Sequence, residues 1–379
     1  MRTTAYRALE KLTQGLERNI RRAFLRAVRD ITDRVIMTDL IEAIEDGDII
    51  RAVNSLGLTA AAYRELTAAI ESAFETGGIA TASTFPKRVM TPFGRTVFRF
   101  DIRNSRAEAW LRDHSSRLVT AIMEDTRAVV RTTIQRGMVD GVNPRTTALN
   151  LVGRIDRATG QRVGGVIGLT PGQERWIANA RRDLNKINEM IRDGLPLSTI
   201  QNHPYFSRKL RGADFDRIIL KAAKDGVPLD SATVDRLLTR YKSNALRYRG
   251  EVIGRTEAIS ALNRSEHEAI NQAVDMGAIR ESAVKRVWDS AGDDGRTRAS
   301  HLEMDGQKVG LNEPFTFPDG SKAMFPGDTS LGAPGEETIQ CRCIARTEID
   351  WLAGARDATT EQERAEILAI SDEELFGGR

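Results

Sequence analysis

The chain has 379 residues, of which 40% are hydrophobic and 29% charged, and its net charge is +3. This composition excludes an intrinsically disordered chain, and the sequence has no run of about 20 apolar residues that would cross a membrane. Aromatic residues are sparse, so the core must use Ala, Leu, Ile and Val, which favours helices. We expect no secretory signal. The two cysteines are too few for a disulfide framework, which favours folding in a reducing cytosol.

Residues 1–78 are predicted to be a helical region that docks on a partner. Apolar residues recur every three or four positions from Leu9 to Val35, which indicates one long amphipathic helix with a locally basic outer face. Two interpretations stay open: the apolar stripe docks on an acidic partner, or it packs on the chain's own next helices. The pair Gly77–Gly78 is predicted to close the last helix of this region.

Residues 79–105 are predicted to form an extended arm or linker, because Pro86 and Pro92 are typical of turns. Residues 106–276 are predicted to form a second helical domain. Within it, Asn143–Pro144 is predicted to open a short helix, because proline is tolerated in the first helical turn, and Thr170–Pro171 is predicted to be an N-cap followed by proline at the first helical position.

Residues 277–352 are predicted to form a small α+β domain, followed by a C-terminal helix and tail over 353–379. Residues 284–288 indicate a strand, 296–304 a short helix and 338–349 a second strand. In that second strand Cys341 and Cys343 would point to one face. The predicted fold class is therefore α+β, with a mostly helical N-terminal two-thirds.

Cys341, Cys343 and His301 are candidate zinc ligands, with Asp289 or Asp328 as a fourth. Thiolate and imidazole suit zinc, although paired cysteines in structural zinc sites are usually two to four residues apart. Two other interpretations stay open. The cysteines are small residues of an apolar core, or one of them is a nucleophile paired with His301.

Four arginines of the C-terminal domain are candidates for a basic face that contacts DNA phosphates without reading the base sequence. Lys285 and Arg286 would extend this face, although ordinary solvated side chains fit the same pattern. Glu257 is expected to reach an arginine of the following domain as a structural ion pair. The four arginines are Arg296, Arg298, Arg342 and Arg346.

An ordered set of residues over about 250–350 resembles the phage Mu F-like minor head proteins, also called the head-morphogenesis family. The set comprises Arg255-Thr256-Glu257-Ala258, Trp288-Asp289-Ser290, Asp294, Arg296, Arg298, His301, Asp305-Gly306, Phe315, Pro326-Gly327-Asp328 and Ile339-Gln340-Cys341-Arg342-Cys343.

The resemblance implies a minor capsid protein of a tailed bacteriophage that acts in head assembly and in DNA packaging or delivery by binding, without a catalytic residue. It implies a place inside the head near the portal, and in the host cytoplasm during assembly. Its partners would be the portal, scaffold or major capsid protein and DNA, with no membrane. Trp288, His301, Cys341, Cys343 and Glu257 are expected at the structural core of the C-terminal domain.

An alternative function is a metal-dependent enzyme acting on nucleic acid or a nucleotide. It would use His301 with Asp289, Asp294 or Asp328 as metal ligands.

Overall fold

The computed structural model describes residues 4–292 and 295–351, and the fold is α+β with a mostly helical N-terminal two-thirds. The predicted tail at 353–379 and Asp294 lie outside the described residues. The helices are α1 Thr4–Arg34, α2 Met37–Glu45, α3 Ile49–Asn54, α4 Arg64–Ala82, α5 Ser105–Val139, α6 Pro144–Val152, α7 Pro171–Arg192, α8 Leu197–Gln201, α9 Asp216–Asp225, α10 Ser231–Asp275, α11 Ala299–Glu303 and α12 Gly335–Thr338.

The strands are short and antiparallel. In the part of the chain that the structure describes, three of the four sheets are two-stranded hairpins, and the fourth has three strands in the order β6-β5-β9. The strands are β1 Val89–Thr91, β2 Gly94–Thr96, β3 Arg154–Ile155, β4 Arg162–Val163, β5 Val284–Asp289, β6 Lys308–Gly310, β7 Phe315–Thr316, β8 Lys322–Ala323 and β9 Ile344–Ile349.

The chain divides into two compact units, each built from segments far apart in sequence. The first contains the described residues of Met1–Arg21, Leu66–Ser115 and Glu251–Arg379, and the second contains Arg22–Glu65 and Ser116–Gly250. The second unit holds both predicted helix starts. Asn143 Oδ1 accepts from the Arg145 N–H at the start of α6, and Thr170 forms a capping box with Gln173 at α7. Both predictions are confirmed, because caps depend on side chains within one turn.

The apolar stripe of α1 is buried within the chain's own structure. Its described members from Leu16 to Val35 are at most 8% exposed. The interpretation in which this stripe docks on a partner is therefore wrong, and the alternative of packing on the chain's own elements is confirmed. The opposite face of α1 stays exposed and carries basic residues, including Arg22 and Arg29.

Gly77 and Gly78 lie inside α4 instead of ending it, contrary to the prediction. A Cβ at Gly77 would lie 2.2 Å from Ser265 Oγ and 3.3 Å from Leu262 Cα, and one at Gly78 would lie 2.2 Å from the Phe100 ring. Here glycine permits a close approach of α10 and Phe100 to α4, and that approach matters more than its low helix propensity. Sequence spacing alone does not reveal such a neighbour.

Part of segment 79–105, predicted as an arm or linker, packs into a core of the first unit. Phe85, Val89 and Phe98 are buried together with Ala269 and Ile270 of α10. The β1–β2 hairpin within this segment exposes Phe93 at its tip.

The strand predicted over 284–288 is confirmed as β5, but the one predicted over 338–349 begins only at Ile344. The last residue of β5, Asp289, pairs with Ile344, so the residues before Ile344 have no strand opposite them. They instead form the short helix α12 and a loop in which Gln340 takes a φ of 57°. The two cysteines therefore lie in a loop, and the prediction that they share one face of a strand is wrong.

Among residues 4–292 and 295–351, no helix has the length and apolar character needed to cross a membrane.

Candidate functional site

Trp288 lies at the centre of the C-terminal core. It is carried by β5, the middle strand of the three-stranded sheet, and is 1% exposed. Its ring makes edge-on contacts with His301, Phe315 and Phe317 at centroid distances of 5.4, 5.3 and 5.5 Å. Cys341 and Cys343 belong to the same core. The structure therefore brings together four of the five residues that the sequence predicted for this core.

His301 lies on α11 and presents its two ring nitrogens to different partners. Nδ1 is 3.2 Å from Cys343 Sγ and 3.6 Å from Cys341 Sγ. Nε2 is 2.9 Å from Glu337 Oε2 of α12, an ion-pair contact whose angle is not that of a hydrogen bond. The imidazole thus has a carboxylate beside Nε2, while Nδ1 faces the two sulfur atoms.

The two thiols differ in acidity because each acts on the other. A hydrogen bond from Cys341 lowers the pKa of Cys343, and His301 lowers it further. The hydrogen bond to Cys343 raises the pKa of Cys341, as does burial. The backbone N–H of Cys343 also donates to Cys341 Sγ over 3.4 Å. Cys343 is thus the thiol that ionises first.

Asn263 of α10 fastens the loops around this core. Its Nδ2 donates to the carbonyl oxygen of Pro326, and its Oδ1 accepts from the N–H of Ala345 over 2.8 Å. On the same helix, Thr256 Oγ1 accepts from the N–H of Gln340. Helix α10 thereby fixes both the loop at Pro326 and the loop that carries the cysteines. Asn263 was not predicted, because a lone asparagine in a helix gives no local signal of such distant partners.

Arg286 is buried and does not belong to a basic surface, contrary to the prediction for this residue. Its guanidinium donates to the carbonyl oxygens of Gly310, Met324 and Glu313 and lies 5.2 Å from the Phe315 ring centroid. Burial lowers the pKa of Arg286 to about 10. The alternation of β5 was the available signal, since residue 286 shares a face with Val284 and Trp288.

The four arginines proposed for DNA binding have different surroundings. Arg296 is exposed. Arg298 donates to the Ile339 carbonyl oxygen, Arg342 donates to Thr297 Oγ1, and Arg346 pairs with Glu348. Arg298, Arg342 and Arg346 thus contact their own domain, and DNA binding by this set stays a prediction.

Glu257 pairs with His114 of α5, which corrects its predicted pairing with an arginine and its predicted place in the C-terminal core. The His114 ring stacks on Trp110 with centroids 4.4 Å apart. On α10, residue 257 is one position from Thr256, so it lies about 100° round the helix from the side chain that meets the cysteine loop. The two residues therefore contact different parts of the unit.

Asp289 and Asp328, which were considered as metal ligands, do not join the cysteine cluster. Among the described residues, the group that places ligand atoms within 4.8 Å of one another comprises His301, Cys341 and Cys343. Asp328 instead accepts hydrogen bonds from the N–H groups of Met324 and Ser330. Burial raises the pKa of Asp289, and nearby Asp305 raises it further.

Comparisons with known proteins give little further guidance. No known family model matches the chain, and no solved structure matches it. Over 126 residues, 32% of this chain, the sequence is 28% identical to a protein of Bacillus subtilis (strain 168) named "Uncharacterized protein YqbB". The match covers 38% of that protein's length, and its name states no activity or partner.

Proposed function

We propose that this chain is a minor head protein of a tailed bacteriophage, which assists head assembly and DNA packaging or delivery near the portal by binding. One observation carries the proposal. Members of the ordered set that resembles the Mu F-like family, from Thr256 to Cys343, meet within one compact unit. In this proposal the protein resides in the head interior and, before that, in the host cytoplasm. Scaffold or major capsid protein and DNA are further partners.

The roles of these residues favour binding over catalysis. Thr256 holds the cysteine loop, Asp305 accepts from the N–H of Ser290 over 2.7 Å, and Asp328 organises its own loop. Groups engaged in this way fix the shape of a domain. The metal-dependent enzyme is less well supported, because Asp328 and Asp289 lie outside the group of close ligand atoms.

The exposed basic face of α1 is the docking surface in this proposal. Arg22 and Arg29 are exposed on the side of the helix opposite the buried stripe. A basic helix face attracts an acidic protein surface, and salt weakens that attraction. An acidic region of the portal would suit it.

Co-purification of the full chain with portal protein tests the proposal. The double variant Arg22→Glu and Arg29→Glu is expected to lose at least tenfold in portal affinity at low salt, because both charges reverse. The matched control reverses two exposed arginines elsewhere in the same unit, Arg131→Glu and Arg217→Glu, and should bind like the parent chain.

Two results would count against the proposal in different ways. If the unaltered chain shows no portal binding at low salt, the assigned function is wrong. If the control variant weakens binding as much as the α1 variant does, the attraction is a general charge effect and α1 is not the docking surface.

A further inference from the structure

We propose that His301, Cys341 and Cys343 bind one zinc ion through Nδ1 of the histidine and the two Sγ atoms. The proposal is independent of the function proposed above, since it rests on the geometry of the C-terminal core alone. It goes beyond the residue types noted in the sequence, because the structure assigns the ligand atoms and adds Glu337 as a supporting residue.

The distances within the cluster are those between neighbouring ligands of one tetrahedral ion. Zinc bonds of about 2.3 Å to sulfur and about 2.0 Å to nitrogen place the two ligand atoms about 3.5 Å apart. The observed separations of Nδ1 from the two Sγ atoms are 3.2 and 3.6 Å. An ion can therefore enter the cluster with small side-chain movements.

The loop geometry explains how cysteines one residue apart can both reach the ion. Gln340 has a φ of 57°, and the chain from Ile339 to Cys343 belongs to neither a helix nor a strand. The turn brings both sulfur atoms close to one imidazole. The single residue between the two cysteines is an unusual spacing for a zinc site. In this loop, which is not extended, that spacing does not prevent both sulfur atoms from reaching one ion.

The surroundings of the ligands match those of a metal site more closely than those of an ordinary apolar core. Glu337 lies at Nε2 of His301, the position at which metal-bound histidines usually meet a carboxylate or a carbonyl group. The backbone N–H of Cys343 donates a hydrogen bond to Cys341 Sγ over 3.4 Å, and Nδ1 of His301 lies 3.2 Å from Cys343 Sγ. Cysteines that serve only as small apolar residues have no need of these polar partners.

Charge balance makes an ion tolerable in this buried place. His301, Cys341 and Cys343 are each 1% exposed. Two thiolates and a neutral imidazole offset the charge of Zn²⁺, and the two thiol protons pass to solvent when the ion binds. The described residues provide three ligands, so a water molecule or another exogenous ligand takes the fourth position.

The ion would link two points about 40 residues apart in sequence. His301 lies at one end of this segment and the cysteines at the other, with a stretch between them that has few regular elements. A metal bridge across such a loop reduces the freedom of the unfolded chain. We therefore expect the bound ion to stabilise the fold of this segment.

Metal analysis of the full chain, purified without chelator from cells supplied with zinc, is the first test. We expect about one zinc per chain, removed by a strong chelator together with a fall in Tm. Replacing zinc with Co²⁺ should give the intense near-ultraviolet absorption of thiolate-to-cobalt charge transfer. This spectrum reports on the parent chain and does not depend on whether a variant folds.

Paired variants test the assigned atoms. Cys343→Ser should abolish the charge-transfer band or reduce it by about half. Glu337→Gln should weaken zinc affinity about 10- to 100-fold, as losses of supporting partners do. The matched control is Glu336→Gln, which removes the same charge from the neighbouring exposed residue and should leave the affinity unchanged.

Three results would each overturn the proposal. The first is a folded chain without zinc that also shows no thiolate band with Co²⁺. The second is a Cys341–Cys343 disulfide in the freshly purified chain. The third is bound zinc whose affinity is the same in Cys343→Ser as in the parent, which would place the ion elsewhere.

Discussion

The core around Trp288 and the surroundings of Arg249 bury polar groups in two different ways. Arg249 lies in the second unit, donates to Asp125 and to the Gly168 carbonyl oxygen, and lies over the Phe24 ring. Burial lowers the pKa of this arginine. This single ion pair connects α10, which carries Arg249, to α5, which carries Asp125. The positions of these long helices follow from their apolar stripes.

The Trp288 core instead gathers side chains from short elements and loops. Phe315 and Phe317 lie in or beside β7, His301 on α11, and the cysteines in a loop. These elements are too short to be positioned by an apolar stripe, so side-chain contacts must help to hold them together. The C-terminal domain therefore depends on a few central side chains, whereas the helical unit spreads its stability over many.

The largest effect is expected for Trp288→Ala. Removing a fully buried indole from three aromatic contacts should lower the free energy of unfolding by about 3–5 kcal/mol. Chemical denaturation followed by circular dichroism measures the change. Phe93→Ala, at an aromatic side chain that is 99% exposed, is the control and should change stability by about 0.5 kcal/mol or less. Equal effects of the two variants would show that the indole is not central.

A somewhat smaller effect is expected for Arg249→Met. The variant leaves the Gly168 carbonyl oxygen without its donor and Asp125 without its cation, at a cost of about 2–3 kcal/mol. Asp125 is 36% exposed, so water compensates for part of the lost pairing. Arg247→Met, two residues away and exposed, should stay within about 0.5 kcal/mol of the parent in the same unfolding experiment. A neutral Arg249→Met would remove the contrast between the two regions.

Two helical glycines should respond to alanine with opposite signs. Gly77→Ala places a methyl group against Ser265 and Leu262 and should destabilise the chain by about 1–3 kcal/mol through overpacking. Gly15→Ala in α1 meets nothing within 4 Å and should stabilise it by about 0.5–1 kcal/mol through helix propensity. Shifts in Tm compare them directly, and two shifts of the same sign would contradict the packing described for α4.

A gradual effect, spread over several pH units, is a dependence of stability on pH that comes from His267. Burial, followed by Arg286 and Arg264, lowers the pKa of this histidine to about 3. Below pH 6.5 His267 binds a proton in the unfolded chain, whereas in the folded chain it stays neutral until the pH is near 3. Stability should therefore fall between pH 6.5 and 3 by on the order of 1 kcal/mol per pH unit.

The variant His267→Gln isolates this contribution. Its difference in unfolding free energy from the parent should be constant between pH 7 and 8, where the histidine is neutral in both states. The difference should shrink steadily below pH 6.5. If it stays constant down to pH 4, His267 does not cause the dependence.

Local features of the sequence determined much of the helical fold. The helix starts at Asn143 and Thr170, the strand at 284–288 and the long amphipathic pattern of α1 were all predictable. Caps, turns and periodicity act between residues within a few positions of one another, so the sequence displays them directly. The grouping of Trp288, His301 and the cysteines was expected from the resemblance of residues 250–350 to a phage protein family. Interactions between residues close in sequence did not indicate it.

Only the tertiary structure decided how distant residues are used. It buried the stripe of α1, placed Gly77 inside a helix, turned Arg286 inward and paired Glu257 with His114 across 143 positions. It also turned the predicted cysteine strand into a loop, because β5 ends opposite Ile344. Each outcome depends on a neighbour supplied by another part of the chain, and pairwise packing over such separations leaves no periodic or short-range signal in the sequence.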